Sequence, residues 1–220
     1  SFEFDDTNLF SEDRFAGLDR WETGARANVG LRYSIYTAGG GQANALFGQS
    51  FRVEDNNSLA AGTGLRDESS DYVGRVMVSP NKDLLAVYRF RLDDQKLKIR
   101  RNEVSLLGRR GPVTGELGYA YFAADQSVSF TPREEIYAGS VLRLDEYWRV
   151  FGQTRRDLAN SRTVANRVGI GYEDECIDFS IGFSQSFYRD RDIEPDKSVV
   201  LRITFKTLGT ARVAGSTDSE

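Results

Sequence analysis

Arginine is the residue type whose placement in this chain invites a chemical reading. Arg26, Arg32, Arg52, Arg75, Arg89, Arg91, Arg100, Arg143, Arg149, Arg155, Arg167 and Arg202, with Lys206, are assigned to the polar side of segments that alternate polar and apolar residues. A guanidinium is a rigid planar fork that grips phosphate or carboxylate through two parallel hydrogen bonds. Rows of such groups suit an anionic ligand. They suit a plainer role too, in which each cation is neutralised by a carboxylate of the same chain, such as Glu116 or Asp178.

Bond-making chemistry has little support. The 220 residues include no histidine, which removes the usual acid–base group and the commonest metal ligand. A nucleophile needs an activating base. Glu134 and Glu135 are adjacent, so on a strand they point to opposite faces and make a poor acid–base pair. Gly39, Gly40 and Gly41 read as a turn, and no G-x-G-x-x-G motif leads into a helix. Asp190, Asp192, Glu194 and Asp196 alternate in one connection and offer oxygen ligands that suit Ca²⁺, although a solvated acidic loop explains them more simply. The expectation is a protein that is not an enzyme, with no catalytic residues, no metal or cofactor, and no nucleic-acid partner.

The elements that must position the arginines are strands. Val164, Asn166, Val168, Ile170 and Tyr172 share one parity, as do Ile177, Phe179, Ile181, Phe183 and Phe187, and again Val199, Leu201, Ile203 and Phe205. The opposite parity carries Arg167, Asp178, Ser180, Ser184, Arg202 and Thr204. A period of two puts these sets on opposite faces of a strand. The pattern starts at Gly24, where Ala27, Val29, Leu31, Tyr33 and Ile35 oppose Arg26, Asn28, Arg32 and Ser34. One stretch is irregular. Leu97 and Ile99 share a parity with Arg101 and Glu103, while Val104 and Leu106 take the other, so a β-bulge is expected to switch the phase there.

About eleven strands result, most near the ~9–11 residues that a tilted membrane strand requires. Short turns at 38–41, 80–83, 109–112, 145–147 and 173–176 alternate with long connections at 54–70, 123–133 and 189–196; a tight turn at 93–95 breaks the rule. Outer-membrane barrels pair short periplasmic turns with longer external loops. The fold class expected is therefore all-β, an antiparallel transmembrane β-barrel. Single-chain bacterial barrels have even strand counts. An odd count implies further strands before Ser1 and makes this the C-terminal portion of a larger barrel. Residues 1–23 read as a polar loop, external or folded into the lumen, 24–208 as the partial barrel, and 209–220 as a disordered polar tail. Asp13, Arg14, Asp19, Arg20 and Glu22 in the first segment are candidate contacts to a plug inside the barrel.

Bulk composition agrees without deciding. The net charge is −4, Phe and Tyr are plentiful at 14 and 10, and the mean hydropathy is −0.47. No run approaches the ~20 apolar residues of a membrane helix, but a barrel strand hides its lipid face in alternation. The N-terminus shows no basic region followed by an apolar core, which fits a mature chain or a fragment. A general porin-like channel and a soluble β-sandwich are the competing readings.

Two stretches resemble a known family. Asp5 to Tyr33, DDTNLFSEDRFAGLDRWETGARANVGLRY, resembles the start of the C-terminal barrel region of the lipopolysaccharide-assembly protein LptD, the organic solvent tolerance protein family. Gly171 to Gly209 is similar to that family's closing strands. The resemblance implies an outer-membrane translocon that takes lipopolysaccharide from a periplasmic bridge protein through an N-terminal domain. It implies an LptE-like lipoprotein plug and a lateral gate between the first and last strands. Val199, Leu201, Ile203 and Phe205 would then lie on the gate strand. Arg26, Arg32, Arg75, Arg89, Arg91, Arg100, Arg149, Arg167 and Arg202 would face the lumen and the lipopolysaccharide. Cys176, the one cysteine, cannot close an internal disulfide. It falls in a short turn on the expected periplasmic, oxidising side. The family carries two adjacent cysteines near this place, bridged to the N-terminal domain. Glu175-Cys176 keeps one, which implies a single bridge to that domain.

Overall fold

A computed structural model describes residues 4–11, 25–52, 65, 68–124, 131–187, 195–206 and 209–216. Its elements are β1 (Arg26–Tyr36), β2 (Gln42–Arg52), β3 (Tyr72–Asn81), β4 (Leu84–Leu92), β5 (Ile99–Arg110), β6 (Val113–Phe122), β7 (Arg133–Arg143), β8 (Trp148–Asp157), β9 (Arg162–Glu173), β10 (Ile177–Ser186), β11 (Lys197–Phe205) and β12 (Gly209–Ser216). They form one twelve-stranded sheet in chain order. The fold is all-β, as the alternation requires. Among the described residues no helix is long and apolar enough to cross a membrane, which says nothing of strands.

The expected tail is a strand. Residues 209–216 form β12, paired antiparallel with β11 from Phe205↔Gly209 to Ser198↔Ser216. Small and polar residues dominate GTARVAGS, so the segment lacks the aromatic and β-branched signal that marks a strand in sequence. Its backbone nevertheless completes a ladder along the free edge of β11, where unpaired N–H and C=O groups invite pairing. Two corrections follow. Twelve strands are present among the described residues, an even number, so parity of the count does not argue for missing strands. And β11 is paired on both edges, with β10 and with β12, so it does not end the sheet.

The connections 37–41, 82–83, 111–112, 144–147, 174–176 and 206–208 alternate with 53–71, 93–98, 123–132, 158–161 and 187–196. The connection expected at 93–95 extends to 98. Leu97 sits in it with φ 54°, and the Leu97 N–H donates to the Asp93 carbonyl, so Leu97 is a turn residue and not the start of a strand. The phase conflict in this stretch arises there. Register irregularities lie at Val78/Asn81 and Arg155/Arg156, near strand ends.

The sheet carries two compact units. The first comprises residues 1–106 and 119–134, the second 107–118 and 135–220. In the first, Phe4, Leu9, Leu65 and Val73 form a buried cluster where the 4–11 segment lies on the sheet. In both, many large hydrophobic side chains of the apolar parity are exposed. Leu31 is 72 % exposed, Tyr33 64 % and Val168 57 %. A sandwich would bury this face beneath a second sheet. All described strands lie in one sheet instead, and no second sheet covers the apolar face among the described residues.

Candidate functional site

The second unit holds the polar-face recess. Antiparallel registers stack its polar-parity residues into rows across β7 to β11. One row runs Arg143, Arg149, Gly171, Ser180 and Arg202. The next runs Val141, Phe151, Gly169, Gly182 and Val200. A third runs Gly139, Gln153, Arg167, Ser184 and Ser198. Glycine and serine at the centre leave a hollow of about 320 Å³, lined by Arg149, Arg167, Arg202, Phe151, Gln153, Ser180 and Glu116 among others.

The glycines make room for the neighbours' side chains. The Phe151 ring lies 2.3 Å from where a Cβ on Gly169 would stand, and the Glu116 carboxylate occupies the same place against Gly139 at 2.6 Å. Arg149 lies flat over Gly171, its guanidinium carbon 3.2 Å from the site of an added Cβ. That posture carries it to two carboxylates. Nη1 donates to Glu173 Oε2 at 3.0 Å and Nη2 to Asp178 Oδ1 at 2.7 Å. Lys206 Nζ completes the group at 3.2 Å from Glu173 Oε1.

Arg167 and Arg202 differ from Arg149. Neither makes an ion pair with a described residue. Arg167 rests its guanidinium carbon 5.5 Å from the centre of the Phe151 ring, and its Nε is buried without a hydrogen-bond partner. A cation over an aromatic face is weakly held compared with a carboxylate pair, and an unsatisfied buried donor is costly. The recess therefore contains anion-binding capacity that the wall itself does not consume.

In the first unit four polar-face arginines are matched by carboxylates. Arg75 Nη1 lies 3.4 Å and Arg89 Nε 3.7 Å from the Asp6 carboxylate, whose side chain is 2 % exposed. Arg91 Nε meets Asp71 at 3.2 Å. Arg101 joins Asp5 at 3.2 Å and Glu103 at 3.0 Å. Burial pushes the Asp6 carboxyl up despite both arginines. Burial also pushes Asp5 up, but hydrogen bonds from Thr7 and the Arg101 charge outweigh it, and the group sits below the usual range. Burial raises Asp71 to about 6 against the pull of Arg91. Asp5, Asp6 and Asp71 come from the loop segments 4–11 and 68–71, and Glu103 from β5.

The other sequence-derived candidates divide as follows. Arg26 donates to the Ser11 carbonyl at 3.0 Å. Arg32 is exposed on β1 and makes no ion pair with a described residue. Arg100 is displaced from its expected role. It lies at the start of β5 on the opposite parity from Arg101 and donates through Nε to Asp93 in the preceding turn, at 3.1 Å. Arg101 takes the polar-face position, its guanidinium 5.3 Å from the Phe122 ring. Asp13, Arg14, Asp19, Arg20 and Glu22 lie outside the described residues, as do Asp190, Asp192 and Glu194. Val199, Leu201, Ile203 and Phe205 sit on the apolar parity of β11, opposite Phe183, Ile181, Phe179 and Ile177.

Cys176 is exposed in the turn 174–176. Asp174 builds that turn by accepting from the Ile177 and Cys176 amides at 2.7 and 2.8 Å, and these bonds hold its carboxyl below the usual range. Sequence reasoning missed an aromatic group beside it. Tyr147 and Trp148 pack on Tyr172, with ring centres 5.8 and 5.1 Å apart. Aromatic rings gather at membrane–water boundaries, where one end is apolar and the other wet.

Comparison with known proteins agrees with these features. A model of the family described as LptD, LPS transport system D, matches residues 1–148. An LPS-assembly protein LptD from Hahella chejuensis is 26 % identical over 213 residues, covering 94 % of this chain and 26 % of the relative. One from Psychrobacter cryohalolentis is 22 % identical over 215 residues, covering 92 % and 21 %. A third, from Acinetobacter baylyi, is 26 % identical over 213 residues, covering 91 % and 26 %. The chain spans about a quarter of the length of the curated relatives it matches. With more than half of its residues matched by the family and its strands alternating as a barrel wall does, the chain belongs to the LptD family of LPS transport system D.

Proposed function

We propose that this chain is the C-terminal part of an outer-membrane translocon that inserts lipopolysaccharide into the outer leaflet. The apolar face meets lipid, and the polar face lines a hydrated lumen. Sugars of the lipopolysaccharide move along the polar face while acyl chains leave sideways into the bilayer. No covalent step is involved. Charge at the bilayer midplane is costly, so such a wall keeps mid-strand arginines, here Arg32, Arg75, Arg89, Arg167 and Arg202, on the polar parity and admits exceptions such as Arg100 only near strand ends. The single observation that carries this reading is that segregation, maintained over the described strands of a chain in the LptD family.

The finer parts of the reading follow from it. A lipoprotein plug of the LptE kind packs against the polar face, with Asp13, Arg14, Asp19, Arg20 and Glu22 as its contacts. A periplasmic bridge protein delivers substrate through a domain preceding the sequence described. Cys176, exposed on the short-turn edge, bonds to a cysteine of that domain. The gate lies at β11, with Val199, Leu201, Ile203 and Phe205, and β12 pairs along its other edge. The test uses the full-length protein in outer membranes. Co-purification of an LptE-like lipoprotein and photocrosslinking of polar-face positions to lipopolysaccharide are expected. Failure of both with ion conductance intact would replace this reading with that of a general channel.

A further inference from the structure

We infer that the polar-face recess lined by residues of β5 to β11 is a binding site for phosphorylated sugar, with Arg167 and Arg202 as its anion-gripping residues. The inference rests on the transport reading above and names one stopping point along the path. Three observations combine to support it.

The first is stoichiometry. Several polar-face arginines meet a carboxylate of their own chain: Arg75 and Arg89 share Asp6, Arg91 has Asp71, Arg101 has Asp5 and Glu103, and Arg149 has Glu173 and Asp178. Arg167 and Arg202 line the same recess and have no such partner among the described residues.

The second is shape. Neighbouring strands stand about 4.8 Å apart, and Gly171 and Ser180 separate Arg149 from Arg202 in their row. The gap between those two arginines is therefore floored by small residues. The recess of about 320 Å³ is at the lower end of the range for a small-molecule site, and suits one substituted sugar unit better than a bare ion.

The third is the state of Arg167. Its Nε is buried and unpartnered, and its guanidinium is held on the Phe151 ring. The ring supports the fork without occupying its terminal donors, which leaves them available to an anion. Ser180 and Gln153 add neutral hydrogen-bonding groups suited to sugar hydroxyls, and Glu116 on β6, which lies against Gly139, disfavours a dense polyanion. The favoured ligand is a sugar bearing a single phosphate. A nucleic acid or an acidic protein would present charge along a line, which a hollow of this size does not match.

The test is photocrosslinking in the full-length protein, with a photoreactive residue at Gln153 inside the recess and, separately, at Ser198 on the same face outside it. The probes are lipopolysaccharide with a phosphorylated core and the same lipopolysaccharide with the core phosphates removed. The Gln153 adduct is expected to fall about tenfold without phosphate, the factor expected for one lost charge-assisted hydrogen bond, while the Ser198 adduct holds. R167Q/R202Q should produce the same loss with the phosphorylated probe, and R167K/R202K should restore part of it. Equal adducts at Gln153 with both probes overturn the site. Because that comparison needs no arginine variant, it decides even if R167Q/R202Q fails to assemble. Adducts at Ser198 but none at Gln153 overturn the site and leave the transport reading intact. No adduct at either position overturns both.

Discussion

Phe151 and Gly169 stand directly opposite each other on β8 and β9, and the phenyl ring fills the space a side chain at 169 would need. The ring in turn supports the Arg167 guanidinium. A glycine thus sets the position of a cation it does not touch. An added Cβ would also come within 2.6 Å of the Ile181 carbonyl, which cannot move without disturbing the β9–β10 ladder. Gly169→Val should therefore destabilise the assembled protein by about 1–3 kcal/mol, as overpacking does. Gly152→Ala is the control, since the nearest atom to its added Cβ is at 4.0 Å. Urea midpoints of the heat-modifiable band for the two variants check this; equal midpoints would contradict the packing described.

Ile181 and Phe183 are each 41 % exposed on the apolar parity of β10, flanking Gly182 on the polar one. Ile181→Lys or Phe183→Lys should impair membrane assembly, at a cost of about 2–4 kcal/mol for a lysine near the bilayer midplane. Ser180→Lys, one residue away on the polar face, should assemble. Membrane fractionation of the three variants decides the matter, and normal assembly of the apolar-face variants would count against the face assignment.

Asp6 is the shared partner of Arg75 and Arg89 and is almost fully enclosed. Asp6→Ala should leave both cations without a carboxylate and loosen the 4–11 segment. The expected cost is about 1–3 kcal/mol, less than the ~3–5 kcal/mol of a fully buried pair because Arg89 is partly exposed. Hydrogen exchange at residues 5–11 reports it directly. Unchanged protection would mean that the buried cluster of Phe4, Leu9, Leu65 and Val73 holds the segment by itself.

These cases show where the sequence was readable and where it was not. Strand faces were legible because a period of two survives locally: Ile181 against Ser180 needs only neighbouring residues. The carboxylate partners were not legible, because Asp5 and Arg101 are 96 positions apart and Asp6 belongs to a loop. Gly169 and Gly171 carry no polar or apolar signal, so the recess they open was invisible, although Arg167 and Arg202 beside it were singled out. β12 escaped notice because a strand of small residues depends on its neighbour's free edge more than on its own composition. Arg100 and Arg101 exchanged roles because Leu97 belongs to a turn and was counted into the strand.

Asp71 gives a pH dependence with a definite sign. Its carboxyl rises from 3.8 to about 6 on folding because burial outweighs Arg91. A raised carboxyl binds more protons when folded, so its stabilising contribution is complete below pH 3.8 and is lost as pH rises through about 6. The span corresponds to about 3 kcal/mol. Urea midpoints should therefore decline between pH 4 and 6.5, and Asp71→Asn should flatten that part of the profile. A profile unaltered by the substitution would place the titration elsewhere.

The central claim is that the two parities of each strand meet different solvents. Spin labels placed singly at 180 to 184 on β10 and 199 to 203 on β11, in full-length protein with its native cysteines replaced and reconstituted in bilayers, test it most directly. Oxygen, which concentrates in lipid, should relax labels at Ile181, Phe183, Val199, Leu201 and Ile203. A water-soluble nickel chelate should relax those at Ser180, Ser184 and Arg202, with the two accessibilities alternating out of phase. In-phase accessibilities, or oxygen favouring the arginine-bearing parity, would contradict the account.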